Sequence, residues 1–532
     1  MRYTFLFFFV FALSLVSCRK DFDTVPSRGQ LEFSKSTVYL DTVFTNVGSS
    51  TYMLKVYNRS GDDITIPSIA LGKGANSKYR IMVDGMTGQD GNDPDNIGDG
   101  KFFENVELLA HDSLFVFIEE TADIADANPA DMLYTDQILF DSGSLQQKVD
   151  LVTLIKDAVF LYPERTPDGN GGYIYEHLQI GSDPANTIYG FFLSHTDPVN
   201  GDELHFTNAK PYVIYGYAAV PPNEVLVIDK GARIHFHDQA GIIVANTGSI
   251  QVNGEASTTE DLENEVIFEG DRLEPGFSDT PGQWGTILLT QGSTNNIFNH
   301  ATIKNSSVGI FIQGQDATTV QIKNTQIYNS ANVGILSRTG KINGENIVIN
   351  KAGQYALACT LGGSYDFKHC TFTNYWTGSS RQSPTVLLDN SFFDGTTLFV
   401  ANLDQANFAN CIVFGPNNIE IGIVQKTGPA PTVFNYNIHH SLIKFNDTGN
   451  QFASNPLYDF ADTPANPNNN VISNYISPND PKFKNSSKND LHILAGSSAI
   501  GKGDAAIIVP TDADGKPRTA SPPEVGAYVV TP

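Results

Sequence analysis

The sequence predicts an all-β protein: a β-sandwich, then a parallel β-solenoid, then a closing C-terminal segment. Three observations predict it. An eight-residue pattern, with an apolar, a polar, an apolar and a turn-type position at fixed offsets, returns seven times between Phe298 and Phe445. Upstream, from Leu31 to Leu154, short alternating segments such as 51–57 and 114–118 are separated by turn clusters, as two packed antiparallel sheets require. The whole chain, with 46 glycines, 27 prolines and 40% hydrophobic residues, shows few helical periodicities. Its 532 residues exceed what one compact core accommodates, whereas a solenoid grows along a single axis.

The chain opens with Met1-Arg2 and an apolar run from Tyr3 to Leu13 that is too short to span a bilayer comfortably, so residues 1–17 read as a secretion signal. Leu15-Val16-Ser17-Cys18 resembles a bacterial lipobox. That resemblance implies cleavage before Cys18, palmitate-type lipidation of Cys18, and attachment to a bacterial outer membrane on its periplasmic or cell-surface side. Residues 18–30 are polar and patternless, as a tether would be.

Residues 31–156 form the expected sandwich. The stretch Asp41-Thr-Val-Phe-Thr-Asn-Val-Gly48, preceding a Lys-Val-Tyr-Asn strand, resembles the immunoglobulin-like modules of the abnormal-spindle and Hydin type. Within it, Asp93, Asp95, Asp99 and Glu104 stand near the spacing of a calcium loop, but Ile97 occupies a ligand position and no helices flank it. A solvated hairpin loop is the expectation, with an opportunistic calcium site as the alternative.

Residues 157–208 read as a connecting or capping β layer, with Tyr173, Tyr175, Tyr189, Phe191 and Phe192 as its core. The solenoid is assigned to 209–448, opening with strands at 211–216, 224–231, 232–236, 241–244 and 248–254. Clear repeats begin at Phe298, Ile322 and Phe367, and weaker ones at Leu387, Phe408 and Ile438; a slipped copy, with Asn343 beside Ile342, ends at Asn350. The last slot holds Asn305, Asn329, Asn350, Asn374, Asp394, Gly415 and Phe445, with periods of 24, 21, 24, 20, 21 and 30 residues. Periods of 20 to 24 suit one coil of a β-solenoid, since propeller blades need about 40 residues and helical repeats about 33. No Leu-x-x-Leu-x-Leu frame marks a leucine-rich repeat.

The polar slot holds His300, Asn324, Glu345, His369, Asp389, Asn410 and His440. Asn tolerates a left-handed backbone and can bond its equivalents above and below, so this slot is expected at a turn. The pattern resembles the asparagine ladder of right-handed parallel β-helices. Together with Gly270-Asp-Arg-Leu273 and Gly282-Gln-Trp284-Gly285, the span from 210 to 445 resembles a family of secreted, Bacteroidetes-type β-helix lipoproteins with no assigned chemistry.

Residues 449–532 are Pro- and Asn-rich and then Gly-rich, and resemble the closing segment that follows many secreted β-helices; they are expected to cap the open end of the stack. Asp512, Asp514 and Arg518 read as a structural ion pair. The run Gly496 to Gly503 imitates a phosphate loop but lacks its Ser or Thr and a following amphipathic helix.

A net charge of −25 argues against nucleic acid and anionic glycans as partners. Cys359, Cys370 and Cys411 fit neither a zinc site nor a disulfide framework and read as core residues. His300, His369 and His440 occupy the polar slot on non-adjacent coils, which favours structural hydrogen bonding over metal. Trp284, Tyr375 and Trp376 are candidate platforms for sugar rings. The β-helix resemblance extends to polysaccharide lyases, which use Lys or Arg as base; on that basis Lys323, Lys368 and Arg381 are the catalytic candidates. Lys323 and Lys368 share an outward slot roughly 10 Å apart. The first reading is a monomeric, non-enzymatic envelope lipoprotein that needs no cofactor and binds a glycan or an envelope protein. The alternative is a carbohydrate-active enzyme, a lyase or glycoside hydrolase.

Overall fold

A computed structural model describes residues 23–88, 98–179, 185–314, 318–460, 470–473 (backbone only) and 480–530. Cys18, Asp93 and Asp95 lie outside the described residues. The chain divides into two compact units, Met1–Asp157 and Ala158–Pro532.

The regular structure of the first unit is nearly all strand, in two sheets. One carries Tyr52–Asn58, Ser113–Glu120 and Tyr79–Val83 with Leu31–Phe33 at its edge; the other is built on Ile64–Leu71, Leu133–Phe140 and Gln147–Lys156. The period of two is visible in burial: Leu114, Val116, Ile118 and Glu120 all point inward, onto a core that includes Val56, Ile66, Ile138 and Leu151. Strict alternation thus carries a carboxylate, Glu120, into an apolar interior.

The second unit is built on two long sheets of 19 and 10 strands, whose pairing is almost entirely parallel. Their registers resolve into three ladders. One repeat supplies Ile297–Asn299, Ala301–Lys304 and Val308–Gln313, and each strand pairs in parallel with its equivalent in the next repeat, Val320–Lys323, Gln326–Ser330 and Val333–Arg338. The eight-residue pattern is therefore a strand, a corner and a second strand. Its first apolar slot stacks into one buried column: Val252, Phe298, Ile322, Gly344, Phe367, Phe408 and Ile438.

That column corrects two registers. In the slipped copy, Gly344 occupies the apolar slot and not Asn343, because Ile347 and Phe367 fill the volume; a Cβ on Gly344 would lie 2.6 Å from a carbon of each. Its polar slot is accordingly Asn346 (φ 52°) and its last slot Lys351 (φ 55°), each one residue later than Glu345 and Asn350. A one-residue slip exchanges the faces of a strand, so the register with most buried apolar volume prevails. The copy at Leu387 belongs to the third ladder, where Ala358 pairs with Leu387 and Leu387 with Gly422. A strand followed by the hairpin Ser391–Phe393 and Leu398–Val400 imitates the pattern without sharing its place.

Parallel stacking begins before residue 209. Val159–Leu161 pairs with Tyr212–Ile214, and His205–Phe206 with Val225–Asp229, so much of 157–208 belongs to the stack. Of its five expected core aromatics only Phe191 is buried; Tyr173, Tyr175, Tyr189 and Phe192 are exposed.

The C-terminal residues divide between two roles. Phe445, Phe452, Tyr458 and Phe460 form an aromatic cluster, ring centroids 4.2 to 6.1 Å apart, packed against the core at its last described repeats. Residues 480–530 instead run along the flank of the second ladder as a strap. They cover its outward column Gln326, Val348, Thr371, Ile412 and Leu442 with Leu491, Ile493, Ala499, Val525 and Tyr528. An outward column this apolar requires a cover, which an end cap could not supply.

Candidate functional site

The corner slots come first because they shape the surface. His300, Asn324, Asn346, His369, Asn410 and His440 all have positive φ, between 44° and 55°, and at the second corner Asn305 (66°) and Asn329 (56°) are positive too. Side chains link successive repeats: Asn346 donates to Asn324 (2.9 Å), Asn324 to Asn299 (3.1 Å), and Asn329 to Asn305 (3.2 Å). Asn350 points elsewhere, donating to Ser486 and Asn489 of the strap (both 2.9 Å), and Asn374 accepts from the Ala352 amide (3.0 Å). The histidines His300 and His369 are not brought together with His440. His369 accepts from Asn410 (3.0 Å), and burial, with Arg518 adding to it, pushes its pKa down to about 3.

The three catalytic candidates are all engaged. Lys323 pairs with Glu345 at 2.9 Å, and Glu345 stands on the rung between Lys323 and Lys368. Lys368 also pairs with Asp366 at 3.0 Å. The Arg381 side chain is 3% exposed and grips Glu420, itself fully buried, through two hydrogen bonds of 2.8 and 3.0 Å. A guanidinium forked to a buried carboxylate anchors a loop and does not reach a substrate. Nor do Trp284 and Tyr375 offer platforms. Trp284 is 1% exposed, stacks on Phe236 at 4.3 Å and donates to the Lys304 carbonyl (2.9 Å). Tyr375 is half-buried with its edge against Phe483 of the strap; Trp376 is half-buried and donates to Ser379 (3.0 Å).

Glu104 lies within the strand Phe102–Leu108, paired opposite Ser68, and is not in a loop beside Asp99, whose carboxylate accepts from the Lys101 amide (2.9 Å). Cys359, Cys370 and Cys411 are free and buried. Asp514 pairs with His492 and Lys516 (both 2.8 Å), whereas Arg518 donates to Asn346 and Gly526 (both 3.0 Å).

A different place has the shape of a binding site: the outward face of the third ladder near its start. Along it Gly190, Tyr217 and Gly241 are register neighbours on adjacent strands. The Tyr217 ring lies flat over glycines. A Cβ on Gly241 would come within 2.5 Å of its Cε1, and one on Gly285 within 2.2 Å of its hydroxyl. Tyr189 lies likewise over Gly216, with 2.9 Å to its Cδ1, and is edged by Tyr175 and His177 at 5.6 and 6.0 Å. The result is an open groove of about 660 Å³ lined by His177, Thr187, Tyr189, Tyr217, Asp238, Gln239, Thr286 and Ser307 among others. The Thr286 hydroxyl is buried without a partner among the described residues. Among the described residues no lysine or arginine lines the groove, and Asp238 is the one carboxylate that does. In the sequence Tyr189 reads as a core residue and the glycines lie far apart, so no local signal marks the groove.

No family model matches the sequence. No curated protein matches it either. Solved structures to which parts of the chain are similar include the ASH / PapD-like domain 7 of human CEP192, at 13% identity over 27% of this chain and 96% of that one, with a TM-score of 0.15. Others are the Escherichia coli chaperone DraB (12% identity, 29% and 83%, TM-score 0.16) and a family 123 glycoside hydrolase from Clostridium perfringens (6% identity, 25% and 30%, TM-score 0.17). Scores this low carry no inference about the fold or activity of this chain.

Proposed function

We propose that this chain is a lipid-anchored bacterial envelope protein, held through Cys18, whose three ladders wind as a right-handed parallel β-helix and whose groove binds an uncharged glycan without transforming it. The observation that carries the reading is the groove itself: aromatic rings laid over glycines, ringed by hydroxyl, amide and imidazole groups and, among the described residues, free of lysine and arginine. Sugar rings stack their apolar faces on aromatic side chains, while short polar groups read their hydroxyls. A uronate would need a cation that this groove does not supply.

A glycan array of neutral and acidic polymers, with and without calcium, tests this. Binding of a neutral glycan is expected, and Tyr189→Ala should weaken it about fivefold, the loss of about 1 kcal/mol of stacking. Trp376→Ala should leave it unchanged. Release of unsaturated uronate or reducing ends would sink the non-enzymatic reading.

Anchoring is separable. Among the described residues no helix is long and apolar enough to cross a membrane. Cys18→Ala is therefore expected to move the secreted protein from the detergent phase to the aqueous phase in a phase partition. Retention in detergent would refute lipid attachment at Cys18.

A further inference from the structure

We propose that His439, His440 and Asp504 form a site for a divalent transition metal of the zinc type, which clips the C-terminal strap to the end of the stack. One ring nitrogen from each histidine and a carboxylate oxygen of Asp504 lie within 4.8 Å of one another.

The geometry departs from what a strand provides. Consecutive residues of Asn437–Ile443 should face opposite ways. His440, at φ 45°, breaks that alternation, and the two imidazoles meet with ring centroids 4.3 Å apart. The third ligand is set by the strap. The Asp504 amide donates to the Asn410 side chain (2.7 Å), which returns hydrogen bonds to the carbonyls of Asp504 (3.1 Å) and Ile507 (2.6 Å). Its Oδ1 accepts from the Ala506 amide (2.8 Å), leaving Oδ2 directed at His439 Nε2 (2.7 Å). Such hydrogen bonds to ligand groups orient a metal site before the ion arrives. Moreover, His440 Nδ1 is buried without a hydrogen-bond partner among the described residues.

Two imidazoles and one carboxylate suit zinc, cobalt or nickel better than calcium or magnesium, which prefer all-oxygen shells. Ligand atoms around a tetrahedral ion stand about 3.3 Å apart at bond lengths of about 2.0 Å, so closing the site takes movements of about an ångström. His439, His440 and Asp504 are each only half-buried, which leaves the ion an entry path and a fourth position for water.

The test is zinc titration of the chelator-stripped protein by calorimetry, with cobalt absorption as a second probe. One zinc per chain is expected. Asp504→Asn and His440→Ala should each weaken binding at least tenfold, while His300→Ala, at an equivalent corner, should not. Zinc should also slow hydrogen exchange at residues 503–507. X-ray absorption of the zinc-loaded unmodified protein guards against misfolded variants: a nitrogen and oxygen shell with imidazole scattering is expected. Absent stoichiometric binding, unaltered binding in both ligand variants, or sulfur ligation would overturn the proposal.

Discussion

Replacing Arg381 with Met is expected to destabilise the stacked-strand unit by about 3–5 kcal/mol, because it leaves the Glu420 carboxylate charged, buried and without its counter-ion. The carboxylate keeps three donors, the Thr385 amide (3.0 Å), the Thr385 hydroxyl (2.7 Å) and the Asn417 amide (2.8 Å), so its position survives while its charge goes uncompensated. Lys444 cannot take over easily. It donates to the Gly415 carbonyl (2.5 Å), and burial lowers its pKa although Glu420 opposes that. Removing both charges, as Arg381→Met with Glu420→Met, should recover much of the loss, since a buried pair contributes little beyond offsetting its own desolvation. Both tryptophans, Trp284 and Trp376, lie in this unit, so urea unfolding followed by their fluorescence reads it selectively. A neutral Arg381→Met would contradict the anchoring role and return Arg381 to the list of groups free to act on a substrate.

The sandwich is expected to lose about 3 kcal/mol of stability as pH rises from 4.5 to 8, through Glu120 alone. Glu120 is fully buried with both carboxylate oxygens unpartnered among the described residues, and burial raises its pKa to about 7, with Arg80 opposing and Asp126 adding. The folded value lies above the 4.5 of the unfolded chain. The sign follows: the group favours folding fully below pH 4.5, and the benefit drains away as pH climbs through 7. Glu120→Gln should flatten this decline and leave the variant the more stable protein at pH 8. Hydrogen exchange over residues 113–120 as a function of pH measures both. Equal pH slopes in the two proteins would refute the assignment.

These two groups mark where reading the chain residue by residue stops being sufficient. Alternation in 113–120 shows that position 120 faces inward, but it does not show that no partner awaits the carboxylate there. Likewise Arg381 looks like a loop cation until Glu420, far along the chain, is found beneath it.

Sequence alone determined what depends on neighbours in the chain: the all-β class, the short period, the alternation in the first unit, and corner positions such as Asn324 and Asn329 where the backbone turns left-handed. These follow from side-chain periodicity and local backbone sterics, which a run of eight residues already contains. Tertiary structure decided whatever depends on which repeat lies over which. It placed Gly344 and not Asn343 in the apolar column, put Leu387 in a different ladder, and laid 480–530 along a flank. It gathered Gly216, Gly241 and Gly285 beneath two tyrosines, and brought Asp504 to His439 and His440. The physical reason is that inter-repeat register is set by loop lengths and by how buried volume is filled across strands, and neither is a property of any one segment.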